Sequence, residues 1–324
     1  MSKKIILLFC LFYSCERLPS SIGDINTIAI ICSNQDKEES EHIVKHFFES
    51  RSIKTPQNEM VYSLKWFSPK EINKAKLMKN ILLLSLVYPR DSTIDVLVNR
   101  VIAKNEITDN ISSLKNMFAN NQRVVMIKST NTIELEAQFL DNFQWILSEY
   151  NQNIYSNYYH YIKGKGQNLN LESLLNNQFN ISMFIQEDYK LIYNSDNFLW
   201  IGRGYPYRWI IFYKIDRKII NREFNPYMLF EEILDDYNIG INIYDGYKKK
   251  TSLVYNKKLS YVYRGIYEQL DSQTGGPFAL YLLDNINNDE VILVASIINN
   301  PGKKKVSHLL QIDALVNNIK FLGE

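Results

Sequence analysis

Residues 197–215, NFLWIGRGYPYRWIIFYKI, decide the reading of the fold. Two apolar, aromatic-rich runs, 197–203 and 208–215, flank a short Gly/Pro punctuation, the pattern of two strands joined by a hairpin. Further strand-like runs stand on either side, at 181–186 and 189–193 before it and at 259–269, 277–284 and 290–299 after it. Helical signals interrupt them at 171–179, at 226–237, where Asn225-Pro226 opens a turn, and at 303–320. The last carries Val306, Leu309, Leu310, Ile312, Leu315, Val316 and Ile319 at helical spacing. Strands in runs, closed by single helices, predict an antiparallel sheet with helices packed on one face.

Upstream the pattern changes. Strand candidates at 27–33 (TIAIICS), 60–67, 80–87 (NILLLSLV) and 122–129 alternate with helical stretches, as in an α/β layer. Residues 36–50 place Ile43, Val44, Phe47 and Phe48 on one face, Ser68-Pro69 opens another helix, and a long one is expected over 131–161. The class expected is α+β: an N-terminal alternating α/β half, residues 26–162, followed by a mainly antiparallel C-terminal half, residues 163–324.

The first 25 residues read as an address. Lys3 and Lys4 precede an apolar run, IILLFCLFYS (5–14), and Ser14 stands directly before Cys15. The order is that of a secretory signal. As a helix the run reaches roughly 15 Å, half of the ~30 Å needed to cross a bilayer. A cysteine at the expected cleavage point is what lipoprotein processing requires, so residues 1–14 are expected to be a lipoprotein signal peptide, Cys15 the lipidated residue and 15–25 a tether. The expected location is therefore the cell envelope, on a membrane outside the cytoplasm and most simply the outer membrane. Cys10 leaves with the signal, so Cys32 keeps no partner for an internal disulfide and reads as a buried small hydrophobe.

Charge narrows the partners. Removing Lys3 and Lys4 takes Lys+Arg from 37 to 35 against 35 Asp+Glu, and a neutral chain offers no nucleic-acid footprint. No cofactor motif is complete. Gly202-Arg203-Gly204 and Gly164-Lys165-Gly166 lack the rest of a phosphate loop, and the first strand ends Cys32-Ser33-Asn34 without the glycines of a dinucleotide fingerprint. His42 and His46 have chelating spacing but no third ligand, so no metal is expected.

Three stretches keep functional interest. Trp200, Arg203, Tyr205, Tyr207, Arg208 and Trp209 cluster around the hairpin; aromatic rings beside arginine suit sugars or a protein partner, while the simpler reading has Trp200 and Trp209 fill the core beneath the turn. Gly275-Gly276-Pro277 reads as a close-approach element feeding the strand FALYLLD. Lys303, Lys304 and Lys305 stand at a helix start, where positive charge opposes the helix dipole; either an anion or an acidic partner compensates it, or the run is simply solvated.

Four segments together, LPSSIG (18–23), NFLWIGR (197–203), RGIYEQLDSQTGGPFALYLLD (264–284) and PGKKKVSHLLQIDALV (301–316), resemble domain of unknown function family 4837, predicted lipoproteins of a Gram-negative lineage. The resemblance spans nearly the whole chain after Cys15, departing where Thr274 replaces an expected Met and Lys304-Lys305 a Lys-Arg pair. It implies no activity and no catalytic residues. The function expected is thus a lipid-anchored envelope protein that binds an envelope protein or glycan through its C-terminal half. The alternative is an envelope hydrolase or transferase with a site between the halves, built from Asp271, Arg264 and His308.

Overall fold

In the computed structural model, which describes residues 18–87, 92–255, 258–270, 274–284 and 289–323, the chain begins with β1 (Thr27–Ile31) and α1 (Asn34–Glu49). A small hairpin, β2 (Ser52–Lys54) and β3 (Asn58–Met60), leads to β4 (Ser63–Phe67), α2 (Ile72–Ala75), β5 (Asn80–Leu86) and α3 (Ser92–Asn105). Then come β6 (Ile111–Lys115), β7 (Arg123–Ser129), α4 (Thr132–Asp141) and α5 (Phe143–Lys163). The N-terminal sheet has the order β4-β1-β5-β7-β6, parallel throughout except for the antiparallel edge strand β6. Every residue of β5 is buried, because helices cover both faces of its sheet. Ile81 and Leu83 face α2 and α3, whereas Leu82, Leu84 and Leu86 join the core under α1, α4 and α5.

The C-terminal half opens with α6 (Leu169–Phe179), the two-residue β8 (Ile181–Ser182), β9 (Lys190–Ser195), β10 (Phe198–Arg203) and β11 (Tyr207–Asp216). It continues with α7 (Pro226–Asp236), β12 (Ile241–Tyr255), β13 (Lys258–Gln269), β14 (Gly275–Asp284), β15 (Glu290–Asn299), α8 (Val306–Val316) and β16 (Lys320–Phe321). A seven-stranded antiparallel sheet, β12-β13-β14-β15-β11-β10-β9, forms its centre. Side chains alternate strictly between two cores. Leu199, Ile201, Ile210 and Phe212 pack with α6 and α8, and Phe198, Ile211 and Ile215 pack with Tyr227, Phe230, Ile233 and Leu234 of α7. The α+β class is as expected, but α7 covers the opposite face from α6 and α8 because its apolar stripe meets the odd-numbered residues of β11.

One hydrophobic core runs through both halves, from β1 and β5 past α5 to α8 and the C-terminal sheet. α5 is fastened to the N-terminal sheet by polar groups: Tyr150 Oη donates to the Ile81 carbonyl (3.0 Å), and Asn153 Nδ2 to Lys79 O (2.9 Å) and Asn80 Oδ1 (2.8 Å). The single long helix expected over 131–161 breaks at Asn142, whose amide Nδ2 bonds the Gln138 carbonyl at 3.0 Å and whose backbone leaves helical geometry at φ −104°, ψ 14°. Within the expected tether, residues from Leu18 onward are bonded to the body: Asn120 donates to Leu18 O (2.6 Å) and Pro19 O (2.8 Å), and Ile22 N to Leu77 O (2.7 Å).

Candidate functional site

Strand alternation divides the hairpin residues that the sequence groups together. Trp200 and Trp209 point to the α7 side, where their rings meet edge-on with centroids 5.2 Å apart and pack against the second core. Tyr205 and Tyr207 are exposed near the hairpin tip, and Lys303 Nζ lies 5.2 Å above the Tyr205 ring. Arg203 and Arg208, paired across β10 and β11, turn to the other face, where Arg208 meets Gln311 of α8.

There they line a cleft of about 610 Å³ with Tyr161, Lys165, Gln186, Asp188, His308 and Gln311. Arg203 forms an ion pair with Asp188 and donates to Gln186 Oε1 at 3.0 Å. Arg208 is only 6% exposed and donates to Gln311 Oε1 at 2.6 Å. No carboxylate stands within ion-pair distance of it among the described residues, and burial lowers its pKa from the ordinary arginine value. Arg203 Nε, Arg208 Nε and His308 Nδ1 are buried without a hydrogen-bond partner. Burial, then the positive charges of Arg208, Arg203 and Lys305, depress the His308 pKa to about 4, so the imidazole is neutral at pH 7. The cleft thus sets a buried guanidinium without a carboxylate among exposed Lys165, Lys190, Glu187 and Asp188, a net positive surface with arginine donors to spare, which suits a carboxylate or phosphate.

The other sequence candidates are structural. A Cβ on Gly275 would sit 2.3 Å from Tyr267 O and one on Gly276 only 1.9 Å from Ile298 O, so these glycines let β14 approach its neighbours. Gly276 and Pro277 are buried, and Gly275 borders a different, open depression of about 570 Å³ with Lys54, Thr55 and Tyr267. The anion wanted at the start of α8 comes from the protein itself. The Glu59 carboxylate on β3 accepts from Lys305 N at 2.7 Å and Val306 N at 3.0 Å, tying the N-terminal half to α8.

Of the described residues suggested for an enzyme site, Arg264 and His308, only His308 lines the cleft. Arg264 pairs with Asp313 of α8 at 2.7 Å, and Asp313 also accepts from Tyr281 Oη. Burial works against the Arg264 charge, but Asp313, then Tyr281 and Tyr155, more than offset it and hold its pKa above the ordinary value. Asp271, like the lipidation candidate Cys15, lies outside the described residues. Cys32 is buried and its thiol pushed up to about 12, first by desolvation and then by Asp36, which removes it as a nucleophile at neutral pH. His42 and His46 are exposed on α1, and among the described residues no group of three or more His, Cys, Asp or Glu could hold a metal. Glu231 of α7 pairs with Lys248 at 3.5 Å.

Sequence reasoning put Arg203 and Arg208 among the candidates but missed Lys165, Gln186 and Gln311 as members of the same cleft. Lys165 and Arg203 are the two cations flanked by glycines that fail as phosphate loops, and their convergence on one cleft was the available signal.

Comparison with known proteins divides the chain at the same level as its two sheets. Residues 21–162 match the family described as Domain of unknown function (DUF8532), and residues 168–318 the one described as Domain of unknown function (DUF4837). No curated protein matches. Among solved structures, the Ran-binding protein Mog1p of Saccharomyces cerevisiae aligns at 8% identity over 44% of this chain and 90% of that chain, with a TM-score of 0.31. A point mutant of Mog1 aligns at 8% identity over 44% of this chain and 91% of that one, with a TM-score of 0.30. The match to family 4837 begins well after LPSSIG (18–23), so that stretch, expected to share in the resemblance, lies outside it. Residues 168–318, which carry the seven-stranded sheet and α8, belong to the domain of unknown function 4837 family.

Proposed function

We propose that this chain is a lipid-anchored envelope protein that binds an anionic ligand in the cleft between β10–β11 and α8. The observation that carries the reading is Arg208: a guanidinium 6% exposed, facing a cavity, with a glutamine rather than a carboxylate opposite it. An isolated buried charge costs several kcal/mol, and a partner arriving from outside relieves that cost. Arg203 beside it is paired with Asp188, and with Arg208, Lys165 and Lys190 against the remaining Glu187 the cleft keeps a net positive charge.

The anchor rests on the sequence around Cys15. Two residues, Glu16 and Arg17, lie between Cys15 and the pinned Leu18, three backbone steps that reach at most ~11 Å, so a lipid at Cys15 would hold the Ser20–Ser21 edge of the body close to the membrane surface. Among the described residues no helix is long and apolar enough to cross a membrane.

Calorimetric titration of the purified chain with glucuronate and with inorganic phosphate tests the binding reading. Wild type is expected to bind at least one of them, and Arg208→Met to lose at least tenfold in affinity. Equal binding by the variant, or none by wild type, would refute it. Loss of fatty-acid labelling in Cys15→Ser tests the anchor separately.

A further inference from the structure

The arginine cleft does not end at α8. A second depression of about 640 Å³ adjoins it, and Tyr161 and Gln311 border both. Each volume lies within the roughly 300–1,000 Å³ of small-molecule sites. The two compartments differ in chemistry. The first carries four cations, Arg203, Arg208, Lys165 and Lys190, against the two carboxylates Glu187 and Asp188. The second is bordered by Ser20, Asp24, Asn121, His160 and Ser307, a set of hydroxyl, amide and imidazole groups with a carboxylate and the single cation Lys79. Tyr161 stands at the junction, 49% exposed, with Lys165 Nζ 5.0 Å from its ring centre.

From this arrangement we infer that the occupant is an acidic oligosaccharide of at least two sugar units, its carboxylate in the arginine compartment and a neutral neighbour crossing Tyr161 into the second. The inference rests on the anion-binding reading above and adds the ligand class and its length. An exposed tyrosine ring offers the flat apolar surface on which a sugar face rests, while its hydroxyl and the surrounding Ser, Asn and Asp groups match a ring of hydroxyls. A lipid tail would need an uninterrupted apolar second compartment, and in this one Ile25, Tyr158 and Tyr161 are interspersed with Ser, Asn, Asp and His side chains. A peptide added as a strand would need an edge beside both compartments; β9 offers one at the first, through Lys190, but the second is bordered by α5, α8 and loops.

The decisive probes are cellobiouronate, glucuronate and cellobiose, titrated calorimetrically into the full chain after Cys15. Cellobiouronate is expected to bind at least tenfold more tightly than glucuronate, and cellobiose not measurably. Tyr161→Ala and His160→Ala are expected to cost cellobiouronate at least fivefold more affinity than they cost glucuronate; both side chains lie at the surface, so the variants fold. Equal affinity for acid and disaccharide, equal losses in the variants, or tri-aspartate binding as tightly as cellobiouronate would overturn the glycan assignment while Arg208 dependence still stood. Failure of wild type to bind any acid, or indifference to Arg208→Met, would instead overturn the reading beneath it.

Discussion

Two buried arginines face α8 from the same side of the C-terminal sheet, and α8 answers them differently. Arg264 on β13 meets Asp313, fully buried, with Tyr281 completing the carboxylate's bonds. Arg208 on β11 meets Gln311, and beside it His308, held neutral. One helix therefore supplies a full counter-charge at one place and only a dipole at another. The difference teaches that burial of an arginine is not by itself a sign of function. Where the partner is internal the pair is part of the framework, and where it is missing the charge is left for a ligand.

The sharpest way to break this comparison is to remove the internal partner. Asp313→Ala leaves the Arg264 guanidinium and the Tyr281 hydroxyl without their acceptor in the core. Breaking a buried pair this way costs about 3–5 kcal/mol. Urea unfolding should register a loss of that order. A cost under about 1 kcal/mol would show that water satisfies Arg264 and that the two sites are alike.

Arg208→Met makes the complementary test, with a smaller effect on stability. Here the substitution removes a dehydrated charge that has no carboxylate and keeps most of the side-chain volume. Replacing buried charge by apolar volume is often neutral or stabilising, so the urea midpoint should stay the same or rise. If Arg208→Met instead destabilised the chain as much as Asp313→Ala does, Arg208 would belong to the framework and the cleft would lose its claim as a binding site.

Much of the framework is legible in the sequence because it is periodic. The fully buried β5 reads as a continuous apolar run, and the inward residues of α8 stand at helical spacing. What escapes are edge strands. β6 (ISSLK) and β12, with Lys248, Lys249 and Lys250 in its middle and a register shift between Tyr244 and Lys248, need no apolar alternation because one side of each is open. The cleft escapes for another reason. Its members lie on α5, the segment before β9, β10, β11 and α8, and only the strand pairing that sets Arg203 opposite Arg208 brings them together. The same pairing separates them from Trp200 and Trp209, since neighbouring residues on a strand face opposite ways.

His308 gives the smallest and most specific test of the unanswered arginine. Its pKa is depressed from the ordinary 6.5 to about 4, so between these values the unfolded chain binds a proton that the folded chain refuses. Stability must then fall as pH drops from about 6.5 towards 4, and His308→Gln should remove that part of the slope, leaving the rest of the acid response unchanged. Lys165, Lys190, Glu187 and Asp188 also border the cleft, so the comparison is between variant and wild type across the same titration rather than with any absolute profile. An anion bound beside Arg208 changes the sign of the local field. It should raise the His308 pKa, damp the loss between pH 6.5 and 4, and make wild-type affinity for glucuronate increase as pH falls through that window. A His308 ring resonance that titrates identically with and without glucuronate would mean that the bound acid does not reach Arg208, and the contrast with Arg264 would then be one of packing alone.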